Sequence, residues 1–202
     1  MKKILHIVSS AKGQASSSIQ LANTILEKLE ATYPGSRVHT HDLTKAPFPH
    51  LEEMHLGAFN TAAAVHTAEQ QAAIQHSDSA IAELMDADII VIGVPMYNFS
   101  IPSALKAWID HVVRAGVTFS YDTGVPVGLV THKKVYLAIA TGGVYTEGPM
   151  KSYDFTESYL RSVLGFIGIT DITAFRIEGM LMPQFKDTAV PKATNQVNST
   201  VF

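Results

Sequence analysis

An α/β domain built on a five-stranded parallel sheet with helices on both faces is the fold class the sequence predicts, and three observations predict it. Short apolar runs alternate along the chain with longer stretches whose apolar residues recur at intervals of three and four, the signatures of strands and amphipathic helices. One run, Ile89-Ile90-Val91-Ile92-Gly93-Val94, is apolar throughout, as suits a parallel strand covered on both faces. The connections between runs are long enough to hold helices, which right-handed βαβ crossovers need. The 202 residues suit a single domain, 1–202, since domains commonly span about 50 to 250 residues, and no repeat or linker divides the chain.

Taken in order, Ile4 to Val8 is the first strand, and Ile19, Ala22, Ile25, Leu26, Leu29 and Tyr33 mark a helix that Pro34-Gly35 stops. Arg37 to Leu43 alternates in polarity, so the second strand exposes one face and belongs at the sheet edge. Thr67-x-x-Gln70 has the form of a capping box, and Ile74, Ile81, Leu84 and Met85 carry that helix to about Asp86. The 89–94 run takes the sheet centre. Pro102 suits the first turn of the next helix, Leu105, Trp108, Ile109 and Val112 line one face, and Gly116 ends it. Val135 to Ala140 is the fourth strand, Phe155, Tyr159, Val163 and Phe166 mark another helix, and Ile172 to Ile177 is the fifth strand. The polar tail after Pro183 is weakly patterned, with Val190, Thr194, Val197 and Val201 on one side of a short helix and no function assigned.

Two segments interrupt this alternation, Thr44 to His66 and Thr118 to Lys133. Long excursions in compact domains are either functional or tolerated surface insertions. In the first, Phe48, Leu51, Met54, Leu56 and Phe59 suit a subunit contact or a cover over the chain's own core.

Composition narrows the function. A net charge of −3 with no Lys/Arg-rich run provides no field for nucleic acid. The absence of cysteine excludes thiolate nucleophiles and Cys-ligated metal centres, so redox chemistry requires a borrowed cofactor. The apolar run after Lys2-Lys3 is broken by His6 and stops at Ser9, short of the about 7–15 residues of a signal-peptide core, and no membrane-length run follows it. A cytoplasmic, soluble protein is expected. His39 and His41 lie two apart on one face of the second strand, expected to be the solvated one, and metal is not expected there.

Ligands of open α/β sheets bind beyond the carboxyl ends of the strands, where the winding reverses, so three loops matter. After the first strand, Ser9, Ser10 and Ser16-Ser17-Ser18 lead into a helix whose N–H groups and dipole suit a phosphate; Ser16 or Ser17 serves equally well as a plain helix cap. Neither common nucleotide fingerprint, G-x-G-x-x-G or G-x-x-x-x-G-K-[ST], is present. After the third strand, Met96-Tyr97-Asn98-Phe99 sits between two prolines and can lay a flat ring against backbone, although core packing or a subunit contact would also account for its apolar side chains. After the fourth, Thr141-Gly142-Gly143 permits close backbone approach and exposes N–H donors, as a simple turn also would.

Taken together, Pro95 to Phe99, Arg114 to Phe119, the Gly142-Gly143 pair and Leu164 to Ile169 resemble the bacterial FMN-dependent NADH azoreductases, also described as NADH:quinone oxidoreductases. The likeness runs from residue 3 to about residue 182, with the tail least similar. It implies a flavodoxin-like, three-layer, doubly wound sheet of order 2-1-3-4-5, and a homodimer with one FMN per subunit and the active site at the dimer interface. It implies that Ser10, Ser16, Ser17 and Ser18 hold the phosphate and ribityl chain, that Met96, Tyr97, Asn98 and Phe99 line the isoalloxazine, and that Thr141, Gly142 and Gly143 meet its pyrimidine edge. Phe119, Tyr121, Tyr145 and Phe166 are weaker candidates for walls around the substrate. Two departures, Ala140-Thr141 where the family often has Ser-Arg and Tyr145 where it often has His, bear on substrate preference. The implied reaction carries two electrons from NADH through flavin N5 to quinones and azo compounds in ping-pong order, the flavin doing the chemistry without a catalytic side chain. The alternatives are a flavodoxin-type electron carrier, whose acidic surface and T-x-T-G-x-T loop are missing here, and a flavin-free regulatory module.

Overall fold

The computed structural model describes residues 1–122 and 124–202. Its elements run β1 (Lys3–Val8), α1 (Ser17–Thr32), β2 (Arg37–Asp42), α2 (Glu53–Phe59), α3 (Ala68–Asp86), β3 (Ile89–Pro95), α4 (Ser103–Val112), β4 (Phe119–Ser120), β5 (Val127–Gly128), β6 (Lys134–Ala140), α5 (Thr156–Phe166), β7 (Asp171–Ile177) and α6 (Lys186–Ser199). Five strands pair in parallel in the order β2-β1-β3-β6-β7, which is the expected 2-1-3-4-5. The other two form a small antiparallel hairpin inside the 118–133 excursion.

Strand alternation sends successive residues to opposite faces, and each face has its own core. Leu5, Ile7, Ile90, Ile92, Leu137 and Ile139 meet α3, α4 and α5 through Leu84, Trp108, Ile109 and Leu164. Ile4, Ile89, Val91, Ala138, Phe175 and Ile177 meet α1 and α6 through Leu21, Ile25, Leu29, Ala193 and Val197. β3 is buried along its whole length because both layers cover it.

Four expectations change. α4 stops at Val112 and not at Gly116, since the Thr118 hydroxyl donates to the Val112 carbonyl (2.7 Å) and accepts from the Arg114 N–H (2.9 Å), closing the helix end early. α5 forms where its aromatics place it, but its deepest residues are Leu160 and Leu164, while Phe155 is 55% exposed. The tail is a 14-residue helix, α6, that buries Ala189, Ala193 and Val197; Val201 lies in solvent. The face of β2 carrying His39 and His41 is solvated only in part: Glu83 of α3 meets both rings and His41 is 16% exposed at the side chain, while His39, at 64%, stays in solvent as expected. In the 44–66 excursion Phe48 enters the core, whereas Met54 and Leu56 stay exposed on α2.

Candidate functional site

The chain passes from β1 outward to β2 and returns to lay β3 on β1's other side, so the loops after β1 and β3 part at the carboxyl rim and leave a cleft. A cavity of about 210 Å³ occupies it. Lys12, Ala15, Ser16 and Ser17 wall one side, Pro95, Met96 and Tyr97 a second, and Ala140, Thr141 and Gly142 a third, with Met180 and Leu181 after β7. The three loops expected to converge do so.

Ser16 occupies the N-cap position of α1 in extended conformation, yet its hydroxyl does not cap the helix. It bonds the Ser18 hydroxyl instead (3.0 Å). Among the described residues nothing accepts from the N–H groups of Ser17, Ser18 and Ile19, and the first turn carries no acidic side chain. Such an end presents unpaired donors and the positive end of a helix dipole. Ser10 is buried behind this wall: its hydroxyl accepts from the Lys12 N–H (3.3 Å) and lies 3.5 Å from the Tyr97 hydroxyl, so it ties the first loop to the second.

The second loop is held by the Met96 N–H donating to the Ala140 carbonyl (2.9 Å). Tyr97 and Ser100 exchange backbone hydrogen bonds (2.9 and 3.1 Å) around Asn98 and Phe99, at φ of 49° and 71°. A left-handed backbone suits Asn but costs a side chain such as Phe about 1–2 kcal/mol, and strain of this kind concentrates at functional rims. Phe99 and Asn98 lie on the outer side of the turn, where Phe99 packs against Tyr153 and Tyr145 at centroid distances of 5.4 and 6.3 Å.

In the third loop the carbonyls are used and the donors are not. Gly142 O accepts from Leu181, Gly143 O accepts from Gly179 and from the Thr141 hydroxyl, while the N–H groups of Gly142, Gly143 and Val144 have no partner among the described residues. The glycines themselves make room for the chain's own side chains. A Cβ on Gly142 would meet Leu181 at 2.8 Å, and one on Gly143 would meet the Tyr145 ring at 3.2 Å.

The sequence reading missed what holds this loop down. Glu178 accepts from the Tyr145 N–H (2.9 Å) and the Thr146 hydroxyl (2.5 Å), and Arg176 pairs with Asp154 (2.7 Å), Glu157 (2.8 Å) and Glu178 (3.3 Å). Burial opposes the Arg176 charge, but the surrounding carboxylates outweigh it and raise its pKa. A charged residue inside the otherwise apolar run before Ile177 was the available signal.

The aromatic wall candidates divide. Tyr145 stands at the rim. Phe119 packs against Phe166 (4.6 Å) and Tyr121 (5.5 Å) in a cluster of their own. α5 begins at the rim, where the Phe155 N–H bonds the Phe99 carbonyl, and runs toward the sheet's amino end. Phe166 closes that helix, about 15 Å down it at the α-helical rise of about 1.5 Å per residue. Within one chain this cluster does not reach the cleft.

A doubly wound sheet with an open phosphate-sized helix end and an aromatic turn at its switch point defines a flavodoxin-like protein, and the family model described as a flavodoxin-like fold matches residues 2–201. The FMN-dependent NADH:quinone oxidoreductase of Herminiimonas arsenicoxydans is 49% identical over 98% of each chain, and that of Beijerinckia indica is 45% identical over the full length of both. The azoreductase of Bacillus anthracis superposes with a TM-score of 0.87 at 30% identity, over 99% of this chain and 100% of the other. The chain belongs to the family of FMN-dependent NADH:quinone oxidoreductases. The similarity extends through the tail, beyond the expected limit near residue 182.

Proposed function

We propose that this chain is an FMN-dependent oxidoreductase that passes two electrons from NADH to quinones, cleaves aromatic azo compounds reductively, and works as a cytoplasmic homodimer. The observation that carries the reading is the convergence of three strand-end loops on one cleft whose backbone donors, on two sides, have no partner among the described residues. Those donors fit FMN: the start of α1 suits a phosphate, and Gly142 to Val144 suit the polar edge of a flat heterocycle.

Bound FMN would supply the two-electron redox chemistry between a nicotinamide donor and the acceptor. The protein binds and orients. Ser16, Ser17 and Ser18 hold the phosphate, with Ser10 setting the first loop through Tyr97. Met96 and Tyr97, which line the cleft, would meet the ring, with Asn98 and Phe99 shaping the turn. Thr141 fixes Gly143 through its carbonyl, and the N–H groups of Gly142 and Gly143 would hold the polar edge of the ring by preorganised electrostatics. Glu178 and Arg176 keep those donors in place. One open face serves donor and acceptor in turn, which gives ping-pong order.

The homodimer accounts for the displaced aromatics. Tyr121, 58% exposed, and the partly buried Phe166 stand on the buried Phe119 away from their own cleft, a patch suited to covering the cleft of a second copy and stacking on planar acceptors. Among the described residues no helix is long and apolar enough to cross a membrane.

The test is direct. The purified protein should carry or take up FMN, lose its visible absorbance on anaerobic mixing with NADH, regain it with a quinone or azo dye, and show parallel reciprocal plots and a dimer mass. FMN binding without NADH reduction would leave only an electron carrier, and refusal of FMN would end the proposal.

A further inference from the structure

We propose that His39, His41 and Glu83 form a binding site for a divalent transition metal, separate from the flavin cleft and joining the edge strand to α3. Strand periodicity puts His39 and His41 on one face of β2, beside Leu5 and Ile7 of β1, and that face is the one α3 crosses. Glu83, in the last turn but one of the helix, meets both rings with separate oxygens. Oε1 is 3.3 Å from His39 Nε2 and Oε2 is 2.9 Å from His41 Nδ1, and the three ligand atoms lie within 4.8 Å of one another.

The use of different ring nitrogens brings the rings together. His39 reaches with its distal nitrogen and His41 with its proximal one, which offsets the displacement of two residues along the strand. Ligands on a tetrahedral zinc at about 2.0–2.1 Å stand about 3.3–3.4 Å apart, so the two carboxylate–imidazole distances of 3.3 and 2.9 Å already match a coordinated set, and the remaining separation has to close from at most 4.8 Å. Two of the three ligands are already held. His41 is 16% and Glu83 27% exposed at the side chain, and Phe48 packs on the His41 ring at 5.3 Å. His39, 64% exposed, is the ligand that must be fixed on binding.

The donor set selects the metal. Two neutral imidazoles and one carboxylate suit zinc, nickel or copper, whereas magnesium and calcium demand oxygen shells. Beside the triad lies a groove of about 420 Å³, walled by His39, Glu83, Asp86 and Lys3, the last two paired with each other, which leaves room for water to complete the coordination.

The experiment is equilibrium dialysis of the untagged holoprotein against zinc, with metal and FMN counted per chain. One zinc per chain is expected, with His39→Ala, His41→Ala and Glu83→Gln each weakening binding tenfold or more, and with His50→Ala, an exposed histidine elsewhere, leaving it unchanged. FMN content and NADH oxidation should persist in His39→Ala. Because the His39 ring lies mostly in solvent, that variant decides the matter even if His41→Ala fails to fold. Zinc below half an equivalent, or equal affinity in wild type and His39→Ala, would overturn the site and leave the triad as a hydrogen-bonded clasp.

Discussion

α1 and α3 each begin with a hydroxyl residue in extended conformation, Ser16 and Thr67, and they use it in opposite ways. The Thr67 hydroxyl accepts from the Gln70 N–H (3.2 Å), the Gln70 side chain accepts from the Thr67 N–H (3.0 Å), and Glu69 adds a carboxylate to the positive helix end. Ser16 turns its hydroxyl to Ser18, no acid follows in the first turn, and three N–H groups have no partner among the described residues. A helix that completes its own end gains stability from it; one that leaves the end open at a cleft keeps those donors for a ligand. The sequence motif T-x-x-Q is diagnostic of the first case, while a serine run is compatible with both.

The largest effect should come from closing the open end with charge. Ser17→Glu puts a carboxylate into the first turn of α1, as Glu69 does one position further in at α3, and on the proposed phosphate site it should weaken FMN binding about a thousandfold, about 4 kcal/mol, by competing for two charge-assisted hydrogen bonds of about 1.5–3 kcal/mol each. Fluorescence titration of the apoprotein measures this. Unchanged affinity would mean that the two helix ends do not differ in role.

His6 sets the pH range in which such titrations compare like with like. It lies on the face of β1 that also carries Ile4, which packs in the α1 layer, and is 4% exposed. Burial lowers its pKa to about 4, and Asp42 opposes this only in part. Above about pH 6.5 the ring is neutral in both folded and unfolded chains and contributes no pH dependence. As pH falls from 6.5 toward 4 the unfolded chain takes up a proton that the folded chain refuses, so stability declines, by roughly 3 kcal/mol at pH 4 and no further below it. Urea unfolding at pH 7.5 and pH 5 should show this loss in wild type and a smaller one in His6→Leu; equal losses would remove His6 as its source.

The third-loop donors extend the comparison to a second unpaired segment. Gly143→Pro removes one N–H, and flavin reduction by NADH should slow about thirtyfold, about 2 kcal/mol, a modest value because the charge on the ring edge is spread over several atoms. Stopped-flow absorbance at saturating FMN separates this from lost binding. A wild-type rate would show that the donor is not used.

Legibility followed range. The α3 cap, the buried β3 run and the loops at the strand ends could be read locally, because a strand end and the helix after it are neighbours in sequence. The Arg176–Glu178 support could not, since its partners, Tyr145 and Thr146 in one loop and Asp154 and Glu157 at the start of α5, meet it only when β7 joins the sheet. That Leu181, some forty positions on, packs where a Gly142 side chain would stand was not legible either, because that contact is made only in the fold. α6 was faint because its buried face is Ala189 and Ala193, residues too small to stand out in an apolar pattern. The exposure of His39 was legible, but the cover over His41 was not, because nothing in β2 records that Glu83 of α3 reaches it.

The smallest expected effect tests the other half of the comparison. Thr67→Ala removes the hydroxyl that satisfies the Gln70 N–H and frees the Gln70 side chain, and should cost about 1 kcal/mol of stability, the usual worth of a helix cap. Because Thr67 lies outside the cleft, FMN affinity should stay within about twofold, equivalent to about 0.4 kcal/mol. Urea unfolding of the apoprotein and FMN titration of the same sample read the two quantities separately. A variant that kept its stability but lost FMN would reverse the roles assigned to the two helix ends, since the closed end would then be serving the ligand and the open one the fold.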